Sequence, residues 1–435
     1  MNERRPRALF IKLFSTAVIN QALLSIGNLA IGLILIRNTS DLQYGYYVLV
    51  TNALMLMTAL QGAYIGPPLV NRLARCANGT ERGDLVGGLF REQRQLLRTL
   101  AAFVAAAGAV LWAAGVLNEH SGPVVIVAAA AAVATLNREF FRAALLAYHR
   151  PQDVLKADVV YVALLAAGAL AATFTSFPAV LAVCTLGIGA VVGGNLARRA
   201  LNRHERWNIR GLPGILRQIA PVGAWSTLGS AIHWAFNQGY SYLIAATLGV
   251  PAVAAIAATR LLMMPVNLLS NGLGSLLLPL AARWLHHHGP MSVLRRLVLV
   301  TFGLAGAALA YFALMWVLRD WIFDSILHKH FEQRDLLLGL WVVVFLLIVF
   351  RDQLIWLLVA RERFRPLAGL TAFSAVIALT ASYFAMHRIG APGALVGIAF
   401  GESLQVLGII VMSLREPNRI AAAPASAPAS ASASA

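Results

Sequence analysis

The sequence predicts an all-α integral membrane protein. It has about twelve transmembrane helices in two parallel six-helix halves, related by a pseudo-two-fold axis along the membrane normal. Three observations carry this reading. Hydrophobic residues make up 59 % of the chain against 12 % charged, with a mean hydropathy of +0.72, so apolar runs of membrane-crossing length fill most of it. The basic residues crowd into alternate loops. A charged motif that is costly inside a membrane is written twice at one spacing.

The spans follow in order. Residues 1–12 are short and basic. The apolar run that follows, 10–36, is too long for a signal peptide and lacks a small-residue cleavage site, so it is expected to be retained. Span two is 46–70, closed by Pro67 and Pro68. Residues 71–98 carry six arginines and read as a charged loop. Spans three to six are 97–117, 124–148, 159–177 and 178–197. The connector 198–218 mixes Arg198, Arg199, Arg203, Arg206, Arg210 and Arg217 with Leu201, Trp207, Ile209, Leu212 and Ile215. That pattern fits an amphipathic segment on the membrane surface, or a solvated linker between halves. The second half supplies spans 219–248, 251–280, 297–318, 336–360, 367–386 and 393–414, with Gly289-Pro290 as a turn signal. The chain is thus expected to divide into a half at 1–197, a cytoplasmic linker at 198–218, a half at 219–414, and a tail at 415–435. Ala/Ser/Pro low complexity in the tail predicts disorder.

The net charge of +17 suggests nucleic acid until the basic residues are located. They sit in short loops between apolar spans, so no nucleic-acid partner is expected. Twenty-seven of the 35 basic residues fall on one set of loops and five on the other. By the positive-inside rule this puts both termini in the cytoplasm. Cys76 and Cys184 have no metal spacing. The tract His286-His287-His288 and the pair His328 and His330 are weak metal candidates, and no metal or cofactor is expected. No nucleotide loop, nucleophile elbow or zinc helix occurs, so the chain reads as a transporter rather than an enzyme.

Charge inside the spans is the informative signal. Arg138 and Glu139 lie near mid-membrane, about 15 Å from the end of span four, where a charge costs at least roughly 2.5–3.5 kcal/mol. Arg138, Glu139, Ala147 and Arg150 recur as Arg351, Asp352, Ala360 and Arg363, each 213 positions on. Ser15, Thr16, Pro68, Leu69 and Arg72 recur as Ser226, Thr227, Pro279, Leu280 and Arg283, 211 positions on. Six spans per half is an even number, so the repeats run parallel and the substrate path is expected between them.

The interior set is Arg138, Glu139, Arg142, Arg260, Arg351, Asp352 and Glu402. Self-neutralisation would pair Arg138 with Glu139 or Asp352; neighbours on a helix point about 100° apart, which favours pairing across the halves, Arg138 with Asp352 and Arg351 with Glu139. Staples between helices and contacts to substrate both remain open. Arg260 has no acidic residue within fifty positions, although a distant carboxylate such as Glu402 would satisfy it. Four arginines against three acids make the interior net positive, which suits an anion, and a guanidinium fork suits phosphate. Asn20, Gln21 and Asn28 in span one, and Ser226, His233, Asn237 and Gln238 in span seven, suit sugar hydroxyls or helix packing. The acids Glu139, Asp352 and Glu402 are read as charge-pairing or gating groups. Arg138, Arg142, Arg260, Arg351, Asn28, His233 and Asn237 are read as substrate-binding.

Twelve spans in parallel halves, with a proline closing the second span of each, resemble the multidrug/oligosaccharidyl-lipid/polysaccharide exporter superfamily. Phe14-Ser15-Thr16, the stretch Asp41-Leu42-Gln43-Tyr44-Gly45-Tyr46-Tyr47 and Arg138-Glu139-Phe140-Phe141-Arg142 resemble its polysaccharide-transporter branch. That resemblance implies a flippase for polyprenyl-pyrophosphate-linked oligosaccharide in the bacterial inner membrane, serving exopolysaccharide, capsule or O-antigen synthesis. Membrane lipids, a polysaccharide polymerase and glycosyltransferases would be its partners. Arg138, Arg142, Arg260 and Arg351 are the positions it would set against the pyrophosphate. Its drug/cation antiporters carry an acid in the first span, where Asn20, Gln21 and Asn28 stand here. Its lipid II flippases have two further spans and a basic-acidic pair in the first span. Drug antiport, a non-transporting role in a polysaccharide assembly complex, and a membrane-embedded glycosyltransferase stay as rivals.

Overall fold

The computed structural model describes residues 4–415, apart from 74, 77, 205–206, 208–212 and 362. The chain is helical throughout, and the membrane fold expected from composition is the one observed. The first half holds α1 (Arg4–Asn38), α2 (Asp41–Leu73), α3 (Gly79–Ala113), α4 (Ser121–Ala147), α5 (Pro151–Ala172) and α6 (Pro178–His204). The second holds α7 (Ile215–Thr247), α8 (Val250–Leu261) and α9 (Met264–Val317). A short turn, α10 (Arg319–Trp321), and a π-helix (Ile322–Leu327) then lead to α11 (Arg334–Ala360), α12 (Phe364–Ile389) and α13 (Ala391–Arg415).

Ten of these helices are long and apolar enough to cross a membrane, and α8 with the start of α9 makes an eleventh, bent by 56°. Helix α7, 33 residues long, falls short in apolar character because Ser226, Thr227, Ser230, His233, Asn237 and Gln238 dilute it. Helix α9 breaks again at Gly289 (φ 74°, ψ 169°), the turn expected there.

Three element boundaries differ from expectation. The charged stretch 71–98 is not a loop beyond its first residues. Asn78 caps the Glu81 N–H (2.9 Å), and α3 then buries Leu85, Val86, Leu89, Phe90 and Gln93, with Arg94 lying over the Phe90 ring (5.8 Å). Span five starts at Pro151, a favourable first helical position, so Asp158 lies two turns inside α5 and not in a loop. The connector between halves is shorter than 198–218, because α6 runs to His204 and α7 begins at Ile215. Arg206, Ile209, Arg210 and Leu212 lie outside the described residues. Trp207 is not a free membrane anchor: it packs edge-on to Phe90 and Phe141 (5.4 and 5.8 Å between centroids). The low-complexity tail, 416–435, and the side chains of His286, His287 and His288 also lie outside what is described.

The halves meet along α2 and α7 over their whole length. Tyr242 donates to the Leu49 carbonyl (2.8 Å), Ser230 to that of Ala59 (3.4 Å), and Tyr64 to that of Leu216 (2.9 Å). The Glu92 carboxylate caps the start of α7, accepting from the N–H groups of Gly214 and Leu216. The Asp41–Tyr47 stretch explains itself here. Gln43 bridges His120 and the Ala179 N–H at the head of α6. Gly45 lies so close to α8 that a Cβ would sit 2.4 Å from the Val250 carbonyl oxygen, so no larger residue fits. On the other flank a single salt bridge joins the halves among the described residues. Lys329 Nζ, just past the π-helix, donates to Asp41 Oδ1 (2.7 Å) and to the Thr39 carbonyl at the end of α1 (2.8 Å).

Candidate functional site

Between the halves lies a cavity of about 300 Å³. Asn28 and Gly32 of α1, Tyr44, Tyr47, Thr51 and Asn52 of α2, Thr135, Arg138 and Glu139 of α4, and Tyr161 of α5 line the first-half wall. The opposite wall is Gln238, Tyr240 and Ser241 of α7 with Arg260 of α8. Of the sequence-predicted set, Arg138, Arg260, Asn28 and Glu139 are therefore together. Arg142, Arg351, Asp352, Glu402, His233 and Asn237 are not on this wall. Asn237 instead donates to the His233 carbonyl on its own helix (2.8 Å).

The expected pairing across halves does not occur, because Arg138, Arg142 and Arg351 each pair within their own half, with one acid on the same helix and one on a neighbouring helix. Arg138 bonds Asp158 (2.5 Å) and Glu139 (2.7 Å). Arg142 bonds the remaining oxygens of the same two acids, Glu139 at 2.5 Å and Asp158 at 3.0 Å. Asn20 of α1 donates to Asp158 as well (2.8 Å). Gly193 and Gly194 let α6 pack against Arg138 itself; a Cβ on Gly194 would lie 3.3 Å from the Arg138 Cα. Tyr161 completes the setting, its ring centroid 3.6 Å from the Arg138 guanidinium carbon. In the second half Arg351 bonds Asp352 (2.9 Å) and Glu402 (2.6 Å). The guanidinium lies 5.7 Å from the Phe236 centroid.

Sequence reasoning missed Asp158, which changes the charge balance. The interior holds four arginines and four acids, so it is not net positive as a whole. Pro151 was the available signal: a helix starting there carries Asp158 about 10 Å inward.

Arg260 is the exception among the arginines. It joins no salt bridge among the described residues, and Glu402, a distant candidate for it, is engaged with Arg351. Its Nη1 donates to Gln238 Oε1 (2.6 Å) and Tyr240 Oη (3.1 Å). The rings of Tyr240 and Trp341 flank it at 5.9 and 5.7 Å. Trp341 also donates to the Ile256 carbonyl (3.2 Å) and Thr259 Oγ1 (3.1 Å), fixing the last turn of α8. Beyond that turn the span breaks, and Tyr311 donates to the freed Leu262 carbonyl (2.8 Å). A guanidinium has five N–H donors, so most of this fork is open to an incoming anion.

A second, larger hollow of about 840 Å³ runs between α2, α3, α4 and α7. Its lining is almost wholly apolar, from Tyr46, Val124 and Val125 at one end to Tyr64 and Leu216 at the other, and it shares Leu54 with the central cavity.

No family model matches the chain, and no curated protein does. Solved structures do. An inward-facing multidrug resistance MATE family transporter of the MOP superfamily superposes with a TM-score of 0.71 at 15 % identity, over 91 % of this chain and 97 % of that one. An outward-facing form of such a transporter gives 0.63 at 16 %, over 94 % and 95 %. The lipid II flippase MurJ, in an inward closed conformation, gives 0.72 at 8 %, over 91 % and 87 %. The chain has the fold these transporters share. At such identities the likeness reaches no further than the fold.

Proposed function

We propose that the protein is a flippase for a polyprenyl-pyrophosphate-linked oligosaccharide, acting in the bacterial inner membrane. The observation that carries this is Arg260, a cationic fork on the cavity wall with no carboxylate partner among the described residues. Burying such a group is costly unless a counter-charge arrives, and a pyrophosphate is the kind of anion a guanidinium binds through paired N–H donors. Asn28, Asn52, Thr51, Gln238 and Ser241 offer hydrogen bonds for sugar hydroxyls around it. The apolar hollow beside Leu54 suits the hydrocarbon tail. Arg138 and Arg142 are staples in this reading, since their charges are offset by Asp158 and Glu139. The flippase serves surface-polysaccharide synthesis and works beside glycosyltransferases and a polymerase.

Drug/cation antiport is the second reading. Glu139, partly exposed on the cavity wall, and the ring faces of Tyr44, Tyr47 and Tyr161 would receive an organic cation. Reconstitution into liposomes separates the two. Wild type should carry a short-chain polyprenyl-pyrophosphate oligosaccharide to the far leaflet and Arg260→Ala should not. Expulsion of a cationic dye under a proton gradient, with no sugar transfer, would overturn the flippase reading.

A further inference from the structure

The two buried arginine clusters are neutralised unequally. Around Arg138 two guanidinium groups face two carboxylates, and all four carboxylate oxygens accept a bond. Around Arg351 one guanidinium faces two. Asp352 Oδ1 and Glu402 Oε1 share it, and Glu402, only 1 % exposed, leaves its Oε2 buried with no hydrogen-bond partner.

The helices packed on α13 bring little else to this point. From α11 come Arg351 and Asp352. From α7 comes His233, within Coulombic reach of Arg351 and Asp352. From α12, Ser374 packs against Gly401, and its own hydroxyl is buried and unpartnered. The rest of this wall is Phe236, Ala375 and Ala378. With both acids ionised, the cluster carries one negative charge more than its arginine offsets. A lone buried charge of that kind is resolved by binding a cation or a proton.

We propose that Glu402 is a reversible proton-binding site. A proton from the aqueous phase adds to the Glu402 carboxylate, forming one O–H bond and breaking none in the protein, and the Arg351 cluster becomes neutral. Release restores the excess negative charge. Asp352, 29 % exposed at its side chain, connects the cluster to water. A metal ion fits less well: among the described residues no group of three or more His, Cys, Asp or Glu converges to hold one. Around Arg138, where acids and arginines balance, no such proton is called for. The proton site does not depend on which cargo is carried.

Infrared difference spectra of the full chain in liposomes, stepped in pH without any cargo, test this. Wild type should show a protonated-carboxyl band that grows on acidification, and Glu402→Gln should lack it. In Asp352→Asn the remaining carboxylate keeps the guanidinium to itself, so the band should appear only at more acidic pH. Persistence of the band in Glu402→Gln would overturn the proposal, as would an unmoved band in Asp352→Asn. So would loss of the wild-type band when NaCl replaces KCl at constant pH, which would mean a sodium site. Should Glu402→Gln fail to accumulate, the Asp352→Asn comparison decides alone.

Discussion

At the scale of single residues, arginines that look alike in sequence do opposite work. Arg138 and Arg142 share Asp158 and Glu139, so Asp158→Asn leaves two guanidinium groups with one acid. Breaking a buried pair in this way costs about 3–5 kcal/mol, and thermal unfolding in detergent should shift down by several degrees with reduced protein yield. Arg260→Ala orphans no acid. It should leave the unfolding temperature nearly unchanged while abolishing transfer. Arg260→Lys should restore transfer only in part, since a point charge does not reproduce the fork. Arg138, Arg260 and Glu402 were legible in the sequence because charge at membrane depth is rare enough to speak for itself. Their partners on other helices, Asp158 for Arg138 and Gln238 for Arg260, were not. A side chain as long as arginine reaches a neighbouring helix, and which helix that is depends on packing that no spacing records.

At the scale of elements, helix α8 is the piece that carries the open arginine. Trp341 holds its last turn from α11, and Gly45 lets α2 lie against its first. Trp341→Phe keeps the ring and removes two hydrogen bonds, each worth about 1 kcal/mol. It should slow transfer more than it lowers the unfolding temperature, because Arg260 loses its fixed position. Gly45→Leu must push α8 away from α2 and should reduce both. The spans themselves were legible from apolar length. The start of α3 was not, because Arg82, Arg91 and Arg94 interleave with a buried stretch of one helix, and charge read alone looks like a loop. The bend in α8–α9 was hidden for a related reason: hydropathy is continuous through Leu262 and Met263 while the backbone is not.

At the scale of the whole molecule, the two seams between halves differ in kind. The α2–α7 seam is zipped along its length by hydrogen bonds and a capped helix start. The α1 flank is held at one end, where Lys329 reaches Asp41 and the Thr39 carbonyl. A rocking motion of the halves would turn about the first seam and part the second. A cysteine pair at positions 41 and 329, joined by a reducible bis-methanethiosulfonate cross-linker, should therefore arrest transfer, and reduction should restore it; undiminished transfer in the cross-linked protein would show that this flank stays closed throughout the cycle. The repeat was legible because the charges recur 213 positions apart. One counter-charge recurs, Glu139 as Asp352, and the other does not: the position 213 beyond Asp158 is Thr371, which accepts a hydrogen bond from Gln405 (2.9 Å). The acid for the second buried arginine comes from Glu402 on α13 instead. That displacement carries a history. If one ancestral half was doubled, its buried arginine survived in both copies while the acid moved from one wall to another. Asp352, beside Arg351, would have kept the guanidinium paired while the second acid changed walls.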